Sequence, residues 1–292
     1  QTFVNGMEGG LTYEFTWTIE NGTCSDSDVV VISVDADPLE VSAGDDQQLC
    51  DQTTTTLTGT TSIGTGTWST ASTATVDANS GAVSGMVAGN CYVFTWTVVN
   101  GTCTATDEVE VCIDEQPVAD AGTDEDICAT TTQLAASAAT VGTGNWTFTG
   151  GTGFPNPSVL FDDTNPTTFV NGMEGGETYE FTWTIENGTC SDSDVVVISV
   201  DADPLEVSAG DDQQLCDQTT ATLTGTTTIG SGTWSTASTA TVDANSGAVS
   251  GMVAGNCYTF TWTVVNGTCT ATDEVEVCID EQPIADAGTD QD

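Results

Sequence analysis

The chain has 292 residues, with 44 Asp and Glu and no Lys, Arg or His, for a formal net charge of −44 at pH 7. Without a base to meet phosphate, a nucleic-acid partner is close to excluded, and an anionic membrane surface is disfavoured for the same reason. Acidity of this kind in a chain poor in apolar residues would mean disorder, but 38% of the residues are hydrophobic and seven Trp, nine Phe and four Tyr recur in ordered patterns, so the chain folds.

In chain order, the first element is Tyr-Glu-Phe-Thr-Trp-Thr at 13–18, which runs into Asn-Gly-Thr-Cys at 21–24. A Pro-containing junction, Asp-Ala-Asp-Pro, follows at 35–38. Gly-Thr-Gly-Thr-Trp (64–68) and Ala-Thr-Val-Asp-Ala-Asn-Ser-Gly-Ala-Val (74–83) then supply short strands. Next, Tyr92, Phe94, Trp96 and Val98 share one strand face, with Val93, Thr95, Thr97 and Val99 on the other. Asn100-Gly101 is a tight turn. It leads into a strand from Thr104 to Ile113, with Val109, Val111 and Ile113 inward and Glu108, Glu110 and Cys112 outward. A second short junction, Asp-Glu-Gln-Pro, occupies 114–117. About seven strands in about 80 residues reads as an Ig-like sandwich. No segment has a convincing helical period, and no apolar run reaches the roughly 18 residues of a membrane helix. No signal peptide is visible.

Internal repetition then organises the whole chain. Thr-Phe-Val-Asn-Gly-Met-Glu-Gly-Gly at 2–10 returns at 168–176, a period of 166, and residues 1–126 differ from 167–292 at eight positions. Cys-x17-Trp occurs at Cys50/Trp68, Cys128/Trp146 and Cys216/Trp234, and Tyr-x-Phe-Thr-Trp-Thr before Asn-Gly-Thr-Cys occurs at 13–24, 92–103, 179–190 and 258–269. Two module types therefore alternate. B-type modules cover 38–116 and 204–282. An A-type module covers 117–203, with the later part of another at 1–37 and the start of a third at 283–292. The A type carries nine extra residues around 150–166. The expected architecture is all-β, with modules strung end to end on short, stiff junctions. The part-module at 1–37 needs strands from elsewhere to close its core. Continuation of the same repetitive polypeptide is expected to provide them, with strand donation by a neighbouring chain as the alternative.

Eleven cysteines look odd for a secreted protein, and the repeat removes the oddity. Cys50 and Cys103 occupy the positions of Cys128 and Cys190, so bridges are expected within each module: Cys50–Cys103, Cys128–Cys190 and Cys216–Cys269. Closing such a 53-residue loop contributes about 4 kcal/mol on the chain-entropy model. Cys91 and Cys112, on the outward face of hairpin strands, form a second expected bridge, with Cys257–Cys278 as its copy. Thr178 and Ser199 stand in their place in the A type. Cys24 matches Cys190, so its partner belongs upstream of residue 1. Zinc is disfavoured, because no C-x2-C spacing and no His occur. Disulfides imply an oxidising, extracellular location.

Ala43-Gly44-Asp45, Cys50, Gly64–Trp68, Tyr92–Cys103 and Asp107–Val111, with their counterparts in each module, resemble the PKD-like or Ig-like repeats of giant surface adhesins and gliding-associated proteins of gliding bacteria. The resemblance covers essentially the whole chain. It implies an extended fibre on a bacterial cell surface, exported by the secretion system such adhesins use, and it supplies no catalytic residue. The loss of every Lys, Arg and His is the departure from such relatives.

Several residues carry two readings. Asn21, Asn100, Asn187 and Asn266 in Asn-Gly-Thr, and Asn145 in Asn-Trp-Thr, are formal glycan acceptors. For the Asn-Gly-Thr sites the alternative is a turn that needs φ > 0. Asp35, Asp37, Asp45 and Asp46, and Asp114, Glu115, Asp120 and Asp124, cluster at the junctions as candidate Ca²⁺ ligands, against a solvated acidic surface. No other cofactor is expected. Trp68, Trp96, Trp146 and Trp183 read as core rather than as carbohydrate platforms. Val195 and Val197 replace the outward Glu108 and Glu110 of the B type and form either a lateral contact or a face covered by their own module. Near-identical tandem copies argue against a single active site, so no enzyme is expected. The expected role is a structural fibre whose partner is its own kind, with glycan-binding or surface-binding adhesin as the alternative.

Overall fold

A computed structural model of the chain describes residues 1–38 and 40–288. Leu39, and residues 289–292 of the expected module start at 283–292, lie outside the described residues. Every element among the described residues is a strand.

The chain opens with a hairpin of β1 (Thr12–Asn21) and β2 (Cys24–Ser33). A first sandwich follows. Its larger sheet is built from β3 (Gln47–Cys50), β5 (Thr65–Ser69), β8 (Asn90–Asn100) and β9 (Cys103–Asp114), and the smaller from β4 (Thr54–Thr56), β6 (Thr75–Val76) and β7 (Ala82–Ser84). The spatial orders are β3-β9-β8-β5 and β4-β7-β6. The chain bridges Ser42 to Thr60 and then crosses over, so that β3 runs parallel to the last strand, β9. Two antiparallel layers closed by a first strand that switches sheets are the Ig-like arrangement. Tyr92 adds the tyrosine corner of that fold, its hydroxyl accepting from Val87 N–H at 2.9 Å.

The middle sandwich contains β10 (Glu125–Ile127), β11 (Thr132–Gln133), β12 (Thr143–Gly150), β13 (Phe169–Val170), β14 (Thr178–Asn187) and β15 (Cys190–Val200). Its sheets have the orders β10-β15-β14-β12 and β11-β13. The extra residues of the A type stand where the B type has β6, the edge strand of the smaller sheet. They bring Phe154 and Phe161 onto Phe148 and Phe181, with ring centroids 5.0–5.5 Å apart along that chain of contacts. The last sandwich, β16 (Gln213–Cys216), β17 (Ala221–Thr222), β18 (Ser231–Ser235), β19 (Thr241–Val242), β20 (Ala248–Ser250), β21 (Asn256–Asn266) and β22 (Cys269–Asp280), repeats the first.

Period-two patterning places the cores. Tyr92, Phe94, Trp96 and Val98 are buried together with Val109, Val111 and Ile113, against Val83 of the smaller sheet and Leu57 and Met86, which flank its strands. Trp68 and Trp96 pack at 5.0 Å, Trp146 and Trp183 at 5.1 Å, and Trp234 and Trp262 at 5.0 Å. The glycine of Gly-Thr-Gly-Thr-Trp now has a reason: Gly66 lies under the Trp96 indole, where any Cβ would fall inside the ring.

In the opening hairpin the same inward face is bare. Trp17 is 67% exposed and Val30 56%, whereas Trp183 and Val196, 166 residues further on, are 1% and 2% exposed. Two compact units emerge from the packing: residues 1–118 with 139–143 and 185–192, and residues 119–138, 144–184 and 193–292.

Candidate functional site

The Asn-Gly-Thr-Cys turns are sockets for the preceding linker. In the first unit, Thr102 donates its N–H and its hydroxyl to Asp35 Oδ2 at 2.8 and 3.0 Å, and Asn100 Nδ2 donates to the Ala36 carbonyl at 2.7 Å. The same unit repeats this at the next junction. Thr189 N–H and Oγ1 reach Asp114 Oδ2 at 2.7 and 3.0 Å, and Asn187 Nδ2 reaches the Glu115 carbonyl at 2.8 Å. In the second unit, Thr268 N–H and Oγ1 reach Asp201 Oδ2 at 2.6 and 2.9 Å, and Asn266 Nδ2 reaches the Ala202 carbonyl at 2.8 Å. Each residue of the motif has a part. The glycine takes φ near +60° (Gly101 +60°, Gly188 +59°, Gly267 +59°) and leaves room for the carboxylate, which a Cβ would strike. Asp114 and Asp201 are held below the usual carboxylate range, first by the N–H of Thr189 and of Thr268 respectively.

The cysteine of the motif closes the junction covalently. Cys190 is bonded to Cys50 and Cys269 to Cys128, at sequence separations of 140 and 141. This corrects the expected bridges Cys50–Cys103, Cys128–Cys190 and Cys216–Cys269. The physical reason is the parallel register of the first strand. Cys50 pairs with Asp114 at the far end of β9, while Cys103 begins that strand. Eleven residues of strand separate them, about 36 Å, far beyond disulfide reach. Cys50 is instead delivered to the end where the next Asn-Gly-Thr-Cys turn docks. Cys91–Cys112 and Cys257–Cys278 are bonded within their hairpins, directly opposite in register. In the opening hairpin, the register position of that bridge holds Thr12 and Ser33, whose hydroxyls lie 3.1 Å apart. Cys24, Cys103 and Cys216 are free thiols.

Six of the eight candidate calcium residues, all but Asp45 and Glu115, are engaged as hydrogen-bond acceptors at separate places. Asp46 accepts from Glu110 N–H at 2.8 Å and Asp124 from Val197 N–H at 2.8 Å. Asp120 accepts from Gly122 N–H at 3.0 Å and from the Ser137 hydroxyl at 3.0 Å. Asp35 and Asp114 hold the turns, Asp45 is exposed, and Asp37 accepts from the Cys103 thiol and pushes its pKa up. Among the described residues, the groups that bring three or more metal-ligating atoms together are centred on disulfide-bonded cysteines and include none of these eight acids. The amide nitrogens of Asn100, Asn187 and Asn266, the atoms a glycan would take, are held against linker carbonyls. Asn21 and Asn145 are exposed. Val195 is 46% exposed and Val197 is partly covered where its N–H meets Asp124. The four tryptophans named as core are all buried.

An open cleft of about 360 Å³ sits at the Asp114 junction, between the Cys91–Cys112 bridge, Asp114 and Glu115, and Gly142 and Asn187. The socket was readable as a motif but not as a binding element. Its one sequence signal was the recurrence of an acidic Pro-containing linker ahead of the Asn-Gly-Thr-Cys motifs at 100–103, 187–190 and 266–269.

No family model matches the chain, and no curated protein matches it. Among solved structures, a three-immunoglobulin segment of titin is similar over 84% of this chain and 99% of its own, at 9% identity and a TM-score of 0.49. Extracellular domains 3–5 of Drosophila OTK align over 84% of this chain and 97% of their own, at 12% identity and a TM-score of 0.43. Immunoglobulin domains 1–5 of Sidekick-1 align over 91% and 66%, at 12% identity and a TM-score of 0.42.

Proposed function

We propose that the chain is a structural repeat segment of an extracellular fibre on a bacterial cell surface, with modules at 38–116, 117–203 and 204–282. The part-modules at 1–37 and 283–292 belong to further A-type units. The observation that carries this reading is the recurrence of one junction clamp three times: an Asp carboxylate on a Thr N–H and hydroxyl, and an Asn amide on a linker carbonyl. A clamp repeated at three successive joints serves an array under tension, not a single active site, so the role is structural rather than catalytic. Surface disulfides fit an oxidising exterior. Antibody against the chain should decorate filaments at the cell surface in electron micrographs. Label confined to isolated particles or to the cell interior would sink the reading.

A further inference from the structure

Two halves of the junction clamp stand unfilled, and they are complementary. At one, Cys216 ends β16 and pairs in parallel with Asp280, as Cys50 pairs with Asp114. Gln214 donates to Asp280 Oδ1 at 2.7 Å, as Gln48 donates to Asp114 Oδ1 at 2.7 Å. In the filled junction the other oxygen of Asp114 receives Thr189 and Cys50 is bonded to Cys190. The Cys216 thiol is free and exposed. At the other half, Asn21-Gly22-Thr23-Cys24 repeats the sequence of 187–190, and its thiol is also free and exposed.

We propose that Cys216 and Asp280 form a binding site for the A-type Asn-Gly-Thr-Cys turn of a further copy of this repeat, closed by a disulfide from Cys216. Cys103 belongs to the same scheme. Its sulfur lies 3.7 Å from the Asp35 carbonyl oxygen, and the bonded Cys190 and Cys269 lie 3.6 and 3.4 Å from the carbonyls of Asp114 and Asp201. It is seated in its socket, and its partner is a first-strand cysteine of the Cys128 kind. Each closure joins the sulfurs of two thiols and removes two electrons and two protons. A protein or small-molecule disulfide of the exporting compartment accepts them and leaves as two thiols.

The consequence is mechanical and deepens the fibre reading. Each junction bridge skips 140 or 141 residues. Between bridges the covalent route runs only from Cys190 to Cys216, 26 positions, or from Cys103 to Cys128, 25 positions. With all bridges closed, a 166-residue period can be drawn out to no more than about 95 Å, even if every module unfolds, against roughly 570 Å when reduced. The array is then a covalent strap whose length does not depend on the modules staying folded.

Non-reducing peptide mapping of the native surface protein tests this, because the repeat carries its own labels. Ala221 distinguishes the Cys216 peptide from the Cys50 peptide, which has Thr55, and Cys-Ser-Asp-Ser-Asp distinguishes an A-type turn from the Cys-Thr-Ala-Thr-Asp of a B-type turn. The Ala221 peptide should be found linked to Cys-Ser-Asp-Ser-Asp. Linkage to Cys-Thr-Ala-Thr-Asp, or a free thiol at Cys216, overturns the proposal. Stretching single native molecules gives an independent readout. Reduction should lengthen the maximal extension per repeat about sixfold, and an extension unchanged by reductant overturns the strap. Both readouts hold wherever the protein resides, so they stand or fall separately from the filament micrographs.

Discussion

At the residue scale, Asp114 and Asp201 hold their turns as carboxylates. Their pKa values are depressed in the folded chain by the N–H groups of Thr189 and Thr268. A depressed acid contributes stability that is fully present above its unfolded value and is lost as the pH falls through the folded one. The junctions should therefore be unaffected near neutrality and loosen only in acid. In an NMR titration, the Thr189 and Thr268 amide shifts should move with midpoints below 3.8, the ordinary Asp value. Asp114→Asn should abolish the Thr189 transition and leave that of Thr268 in place. A Thr189 amide that moves identically in the variant would show that Asp114 is not what it reports.

At the element scale, the close approach of Gly66 to the Trp96 indole makes the larger sheet intolerant of any side chain there. Gly66→Ala forces the indole or the strand to move, a form of overpacking that costs about 1–3 kcal/mol. Urea unfolding followed by Trp fluorescence should show that loss, and an unchanged midpoint would mean that the ring can step aside. The opening hairpin makes the opposite case. β1 and β2 are fully paired along their length, yet Trp17 and Ile19 are 67% and 61% exposed. An isolated two-stranded hairpin is marginal in water. Amides of 12–33 should exchange with deuterium far faster than those of 178–199. Fusing residues 117–166 ahead of residue 1 should slow them and shift Trp17 emission to the blue. Equal exchange in the two hairpins would show that β1–β2 is stable without a covering sheet.

At the scale of the whole molecule, a formal charge of −44 with no opposing base repels other copies. Screening shortens that repulsion to about 10 Å at 0.1 M salt. Light scattering should rise with salt, with divalent cations, or near pH ~4, where carboxylates take up protons. A flat signal under all three conditions would show that charge does not control lateral assembly. The bridges act in a different register. On the chain-entropy model a loop of 140 residues contributes about 5 kcal/mol when closed, against about 3 kcal/mol for the 21-residue hairpin bridges.

Much of this molecule was legible along the chain because its signals are local. Alternation places Phe94 inside and Val93 outside, Asn100-Gly101 turns the strand, and the hairpin register then puts Cys91 opposite Cys112. The 166-residue period announces that residues 13–24 and 179–190 share one fate. The junction bridges were not legible, because they depend on which strand the first strand joins. Nothing within Gln47–Cys50 says that it pairs in parallel with β9, and that pairing sets Cys50 beside Asp114, at the far end of the strand from Cys103 and within reach of Cys190. The socket was hidden for the same reason. Asn-Gly-Thr is a turn in any fold, but it grips a linker only once the sandwich has set that turn beside the Asp of the preceding junction. Sequence spacing measures distance along the chain, whereas bridges and clamps depend on distance through space, which here is set by one parallel strand pair at the edge of each larger sheet.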